Sequence, residues 1–320
     1  MQKTLLIIMA ALALAGCGGK KATQTAAAEI TQPSVEVAFD ADSAYAYVDR
    51  QVAFGPRVPN TEAHRLCGDW LASELRRHGA DVTEQRAVLK AFDGTDLQAR
   101  NFFARFNPQA KGRILLLAHW DCRPWADEDP DPANHDKPVD GANDGASGVG
   151  VLLEIARQLG KDSGGKGVDI LFVDAEDWGT DGDEDSWALG ARHFVENPPV
   201  EGYMPDEAIL LDMVGGKDAI FCREYFSEKA APALAQKIWA IAAQRGHGGM
   251  FPNRMGGAVT DDHVQLIEHG IPTIDIIEYN PDRPSGFNPR WHTVADNMEG
   301  ISAKTLGAVG ETVMQYLKER

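Results

Sequence analysis

Hydrophobic and polar positions follow two regimes along this chain. Four short runs are almost uninterruptedly apolar: Arg113 to Ala118, Val168 to Val173, Ala208 to Leu211 and Ile271 to Ile277. Runs without a polar face suit strands buried on both sides, mostly parallel. Segments Val82 to Leu89 and Arg100 to Phe106 read as two further strands. Helical spacing predicts helices over Asp40 to Ala53, from an N-capping Thr61 through Arg77 with Gly79 as the stop, and over Ala146 to Leu159 and Ala188 to Glu196. It predicts three more over Ala231 to Arg245, Asp262 to His269 and Ala303 to Lys318. Strands alternating with helices give a three-layer α/β sandwich. Ligands in such folds sit beyond the carboxyl ends of the strands.

The 320 residues suffice for one large α/β domain or two small ones, and 43% hydrophobic composition supports a sizeable core. No repeat and no composition break follows residue 40, so 39–320 reads as one catalytic domain. A net charge of -17 and a pI near 4.9 argue against a nucleic-acid partner. At the N-terminus, Lys3 precedes an apolar run from Leu5 to Ala15, short for a membrane span. The run ends in Leu14-Ala15-Gly16-Cys17, which resembles a bacterial lipobox. That implies a signal peptide over 1–17, a lipid on Cys17, a polar tether over 18–38, and a periplasmic protein anchored to one of the two envelope membranes. Cys67, Cys122 and Cys222 remain, so at most one disulfide forms among them and its pairing stays open.

The chemistry clusters at the predicted strand ends. His119 and Asp121 flank Trp120 after the Arg113 strand, and extended backbone puts both side chains on one side. Asp144 lies in Gly141-Ala142-Asn143-Asp144-Gly145, where glycines permit a tight turn and the following helix N-terminus favours an anion. An ordinary helix cap would use the same Asp. Glu176-Asp177 follow the Val168 strand; two adjacent acids there are costly to bury without a cation. Asp212 ends the Ala208 strand, Asp262 opens a helix and is equally readable as its cap, and His292 follows Trp291. The acidic loop Asp181 to Asp185 lacks the ligand spacing of an EF-hand and reads as solvated.

The ordered series His119-x-Asp121, Gly141 to Gly148, Glu176-Asp177, Leu211-Asp212-Met213, Asp261-Asp262-His263 and Trp291-His292-Thr293 resembles the zinc aminopeptidase-like superfamily. Within it, Asp185 to His193 and Phe287 to Thr293 resemble the animal-type glutaminyl cyclases, in particular a Bacteroidetes-like branch. The resemblance runs from about Tyr45 to the C-terminus and implies a mixed, mostly parallel sheet. It implies one zinc per chain on Asp144, Asp177 and His292, with Glu176 as acid/base and Asp212 and Asp262 in a carboxyl network. It also implies a substrate pocket walled by Trp291, Phe287 and Trp187, with His119 and Asp121 in a second metal position or in support. Position 177 departs from the animal enzymes, which carry Glu there.

The activity so implied is closure of an N-terminal glutamine to pyroglutamate with loss of ammonia, by a monomer acting on peptide or protein substrates. A two-zinc aminopeptidase is the rival, since His119, Asp144, Asp177, Asp212 and His292 supply all five of its ligands. A metal- or substrate-binding lipoprotein without catalysis is the third reading; retention of Glu176 counts against it.

Overall fold

The computed structural model describes residues 38–320. The leader, Cys17 and the tether lie outside the described residues. Residues Glu36 to Arg320 form one unit. Its centre is a six-stranded sheet in the order β1-β2-β4-β3-β5-β6. Strands β3 (Arg113–His119), β4 (Gly167–Val173), β5 (Glu207–Asp212) and β6 (Thr273–Ile277) run parallel; β1 (Asp81–Lys90) and β2 (Asp96–Phe106) add an antiparallel flank.

The period-two geometry of a strand explains the sandwich. Along β3 and β4, Ile114, Leu116, Ala118, Ile170 and Phe172 enter one core, while Leu115, Leu117, Leu171 and Val173 enter the other. Each of these side chains is essentially inaccessible, and burying one Leu contributes about 1.5–3 kcal/mol. Helices α1 (Ala41–Val52), α3 (Ala146–Leu159), α6 (Pro232–Gln244) and α8 (Ala303–Glu319) cover the first face. Helices α4 (Leu189–Glu196) and α7 (Asp262–Glu268) cover the second. Helix α2 (Glu62–Arg77) packs on β1 and β2, capped by Thr61, which accepts from the His64 amide. A short helix α5 (Tyr225–Ala230), capped by Glu224, was not anticipated, because its six residues are too few to show a period.

Neither Asp144 nor Asp262 serves as the helix cap that the sequence left open for it. Helix α3 is preceded by Gly145 with no side-chain cap, so Asp144 is free for another task. Helix α7 is capped by Asp261, whose carboxylate accepts from the Asp262 amide, rather than by Asp262. The cysteine question also closes: Cys67, Cys122 and Cys222 are free and buried. Among the described residues no helix is long and apolar enough to cross a membrane.

Candidate active site

Strand β3 has β4 on one side and β5 on the other, with helical connections leaving in opposite directions. Such a switch point opens a crevice beyond the carboxyl ends. His119 is the last residue of β3 and Asp212 the last of β5. Glu176 and Asp177 follow β4 by a few residues. The backbone turns sharply there: Ala175, Met213 and His292 all hold left-handed conformations, with φ of 55°, 48° and 53°. For residues with a Cβ such backbone costs about 1–3 kcal/mol each and persists where the surroundings enforce it. Here it aims Glu176, Asp212 and the His292 ring into one space. Gly145, at φ 90°, lies so close to the Asp121 carbonyl that a Cβ would sit 2.5 Å away.

Two groups of donors share Asp144. In the first, His292 Nε2 lies 3.1 Å from Asp177 Oδ1 and 3.5 Å from Asp144 Oδ2. Beyond that His292 contact and Arg123 at 3.8 Å, neither Asp177 oxygen makes a hydrogen bond of good geometry, although the residue is 1% exposed. A buried carboxylate left in that state is costly unless a cation completes it. Two carboxylates and an imidazole are a donor set that zinc takes. In the second group, His119 Nε2 lies 3.0 Å from Asp144 Oδ1 and bonds to Asp212 Oδ1 at 3.1 Å. These three residues are a second set of donors that could hold an ion.

The supporting contacts are specific. Asp121 accepts from the backbone amides of both Glu176 and Asp177 at 3.2 Å, which fixes the turn that presents them. Asp296 accepts from the amides of Asn143 and Asp144 at 2.8 and 3.0 Å. Arg123 donates to the carbonyls of Asp177 and Gly179 and pairs with Asp127, whose Oδ1 lies 3.6 Å from His292 Nδ1. An outer carboxylate behind a ligand imidazole orients the ring.

The donors open into a cavity of about 240 Å³. Its walls include Trp187, Met213, Val259, Phe287 and Trp291, and its floor includes Glu176, Asp212 and Asp261. Trp291 stacks on His292 at 3.8 Å between ring centroids and on Phe287 at 4.6 Å. Burial pushes the Glu176 carboxyl well above the ordinary range; His119 opposes this, and the charges of Asp261, Asp177 and Asp262 add to it. Burial raises Asp212 to about 8, with the His119 hydrogen bond opposing and Asp261 and Asp144 adding.

The model of peptidase family M28 matches residues 101–317. The chain belongs to peptidase family M28. Among M28-like structures, that of Porphyromonas gingivalis glutaminyl cyclase is 54% identical, with a TM-score of 0.88 over 89% of this chain and 99% of that one. A Zn-dependent exopeptidase from Parabacteroides distasonis is also 54% identical, with a TM-score of 0.87 over 88% and 99%. The bovine glutaminyl-peptide cyclotransferase is 24% identical over 253 residues, 68% of this chain and 65% of the relative. The chain therefore spans about two thirds of that enzyme's length.

Glu176, Asp144, Asp177, Asp212, His292, Trp187, Phe287 and Trp291 all line the cavity. His119 and Asp121 lie just beneath it, fully buried. Asp262 is buried and does not line the cavity, as its neighbour Asp261 does, but its charge acts on Glu176 together with that of Asp261. The difference is one residue at a helix start, where the cap faces the strand ends and the next side chain turns inward. The Asp181 to Asp185 loop is exposed as expected, yet Asp181 and Glu184 line the cavity, so it is more than a solvated turn. Asp296, Arg123 and the buried acids Glu224 and Asp275, which meet His263, were missed. They come from separate elements, and nothing in their spacing signals that they meet.

Proposed function

We propose that this chain is a zinc-dependent glutaminyl-peptide cyclotransferase that converts the N-terminal glutamine of peptides or proteins to pyroglutamate and releases ammonia. The observation that carries the reading is the pairing of the Asp144–Asp177–His292 donor group with a small aromatic pocket. Asp144, Asp177 and His292 would hold a single zinc. His119, Asp144 and Asp212 form a second donor group, which the aminopeptidase reading would fill with a second metal.

When bound, zinc supplies a Lewis acid that stabilises negative charge developing on a carbonyl oxygen. The chain's own residues do the rest. Trp291, Phe287 and Trp187 would clasp the glutamine side chain and exclude water, which is needed because the acceptor is the substrate's own amine and not water. Folding the side chain back towards that amine makes the attack intramolecular. Glu176, with its raised proton affinity, is suited to take a proton from the attacking nitrogen and return one to the leaving ammonia; such transfer contributes roughly 100- to 10,000-fold. The charges of Asp261 and Asp262 favour its protonated form between transfers.

The similarity to the Porphyromonas gingivalis cyclase supports this reading, and the equal identity to a protein described as an exopeptidase makes the assay decisive. Ammonia release from a glutaminyl dipeptide, measured beside zinc content, separates them. Turnover with about one zinc, lost on chelation, is the expected result. Cleavage of aminoacyl amides with two metals and no cyclisation would replace it with the aminopeptidase. Lipidation at Cys17 and a periplasmic location complete the proposal, resting on the N-terminal sequence alone.

A further inference from the structure

The acidic loop after the metal group is the motif that the proposed reaction leaves unused. It is held in a fixed shape. Ser186 accepts from the Thr180 amide at 2.9 Å and donates to the Asp183 carbonyl at 2.6 Å, and Thr180 and Asp183 form an isolated β-bridge. Its base is locked by Arg123, which holds the Gly179 carbonyl and stacks over Trp187 at 4.9 Å. Gly179 itself lies flat against the Trp187 ring, where a Cβ would come within 2.0 Å. From this base Asp181 and Glu184 stand at the cavity's opening, exposed to solvent while lining it. Asp185 pairs with Arg192 at 3.4 Å, whereas Asp181 and Glu184 have no cationic partner among the described residues.

The charge balance of the cavity then matters. Seven of its lining residues are acids and none is Lys or Arg. Five of the seven are buried at the floor, where Asp144 and Asp177 join His292 in a donor group for a cation. A divalent ion offsets two charges there and leaves the opening negative. A peptide whose first side chain enters the aromatic pocket must carry its second and third residues out past Asp181 and Glu184.

We propose that Asp181 and Glu184 are specificity-determining residues that select glutaminyl peptides with a lysine or arginine at the second or third position over those with an acid there. This rests on the cyclotransferase reading. A cleft lined by one sign of charge concentrates ligands of the opposite sign and speeds their capture, so the preference falls on kcat/KM.

The test compares kcat/KM for ammonia release from three otherwise identical amidated peptides, Gln-Lys, Gln-Ala and Gln-Glu, on the zinc-loaded enzyme at low and high salt. The Lys-to-Glu ratio is expected to be about tenfold at low ionic strength and to shrink towards unity as the Debye length falls from about 30 to about 3 Å. In the double variant D181N/E184Q the low-salt ratio should drop about fivefold, the scale of two exposed charge contacts. A ratio taken on one sample is unaffected by any fraction that fails to fold. D183N removes a charge from the same turn but off the cavity wall, and should move the ratio much less. A flat ratio in the wild type, an unchanged ratio in the double variant, or an equal drop in D183N overturns the proposal. Ammonia from Gln-Ala together with a flat ratio leaves the cyclotransferase reading standing and removes only the selectivity. No ammonia from any of the three removes both.

Discussion

Strand β4 carries buried acids near both of its ends, and the two ends treat them differently. Near its start, Asp169 is fully buried and receives a bidentate Arg113 guanidinium and the Tyr203 hydroxyl, with Arg105 3.7 Å away. Past its finish, Asp174 is held by His64 and the Arg100 amide, whereas Asp177, as deeply buried, makes no hydrogen bond of good geometry and has only His292 Nε2 at 3.1 Å and Arg123 at 3.8 Å beside one oxygen. Asp261, Asp262 and Asp275, farther along the same end of the sheet, also keep unpartnered oxygens. A structural acid brings its counter-charge in the chain. An acid reserved for chemistry leaves that place to a metal ion, a proton or a substrate.

The largest effect that can break this comparison is at Glu176. E176Q keeps the shape and removes the proton carrier, so kcat should fall by roughly 100- to 10,000-fold while zinc remains bound. Steady-state ammonia release and metal analysis on one sample check both halves. Full activity would take the proton-transfer role away from Glu176.

At the opposite end the expectation reverses. R113M leaves Asp169 buried with weaker support, and breaking a buried pair costs about 3–5 kcal/mol. Denaturant midpoints should show the loss, while kcat per folded molecule stays near wild type. A variant with normal stability and impaired turnover would mean that the two ends are not separate in function. Between these extremes stands D121N. Its carboxylate holds the amides of Glu176 and Asp177, and loss of such an outer contact costs about 10- to 100-fold in metal affinity or activity. Competitive chelator titration would show it.

How much of this was legible in the sequence depends on how locally it is encoded. The apolar runs of β3 to β6 are strands because no helical period fits them, and Ala146 to Leu159 is a helix to the residue. The site was legible where a motif follows a strand directly, as with His119, Glu176-Asp177 and Asp212. At Asp261-Asp262 the sequence does not say which of two identical neighbours caps the helix, and the structure gives that task to Asp261. It was invisible at Asp296, whose task is to accept amides from residues about 150 positions away. The acidic loop was read from composition alone, which describes its exposure but not what it faces. Sequence distance hides contacts that only the folded sheet creates.

Glu224 supplies the smallest and most discriminating test, because it is a satisfied acid at the unsatisfied end. It accepts from the amides of Phe226, Ser227 and Val259, from the Ser227 hydroxyl and from His263 Nε2. Burial alone would raise its carboxyl, but the His263 contact and those amides outweigh burial and hold it below the ordinary value of 4.5. A carboxyl depressed by folding contributes stability that is present above its unfolded value and lost as the pH falls through the folded one. Wild-type protein should therefore lose stability on acidification below about pH 4.5, and E224Q should show a shallower decline over that window because its amide cannot titrate. If Glu224 instead belonged with the unpartnered acids, its removal would relieve repulsion and E224Q would be the more stable protein at neutral pH. Urea midpoints of the two proteins at pH near 7 and near 4 decide between a structural carboxylate and a reserve of charge behind Asp261.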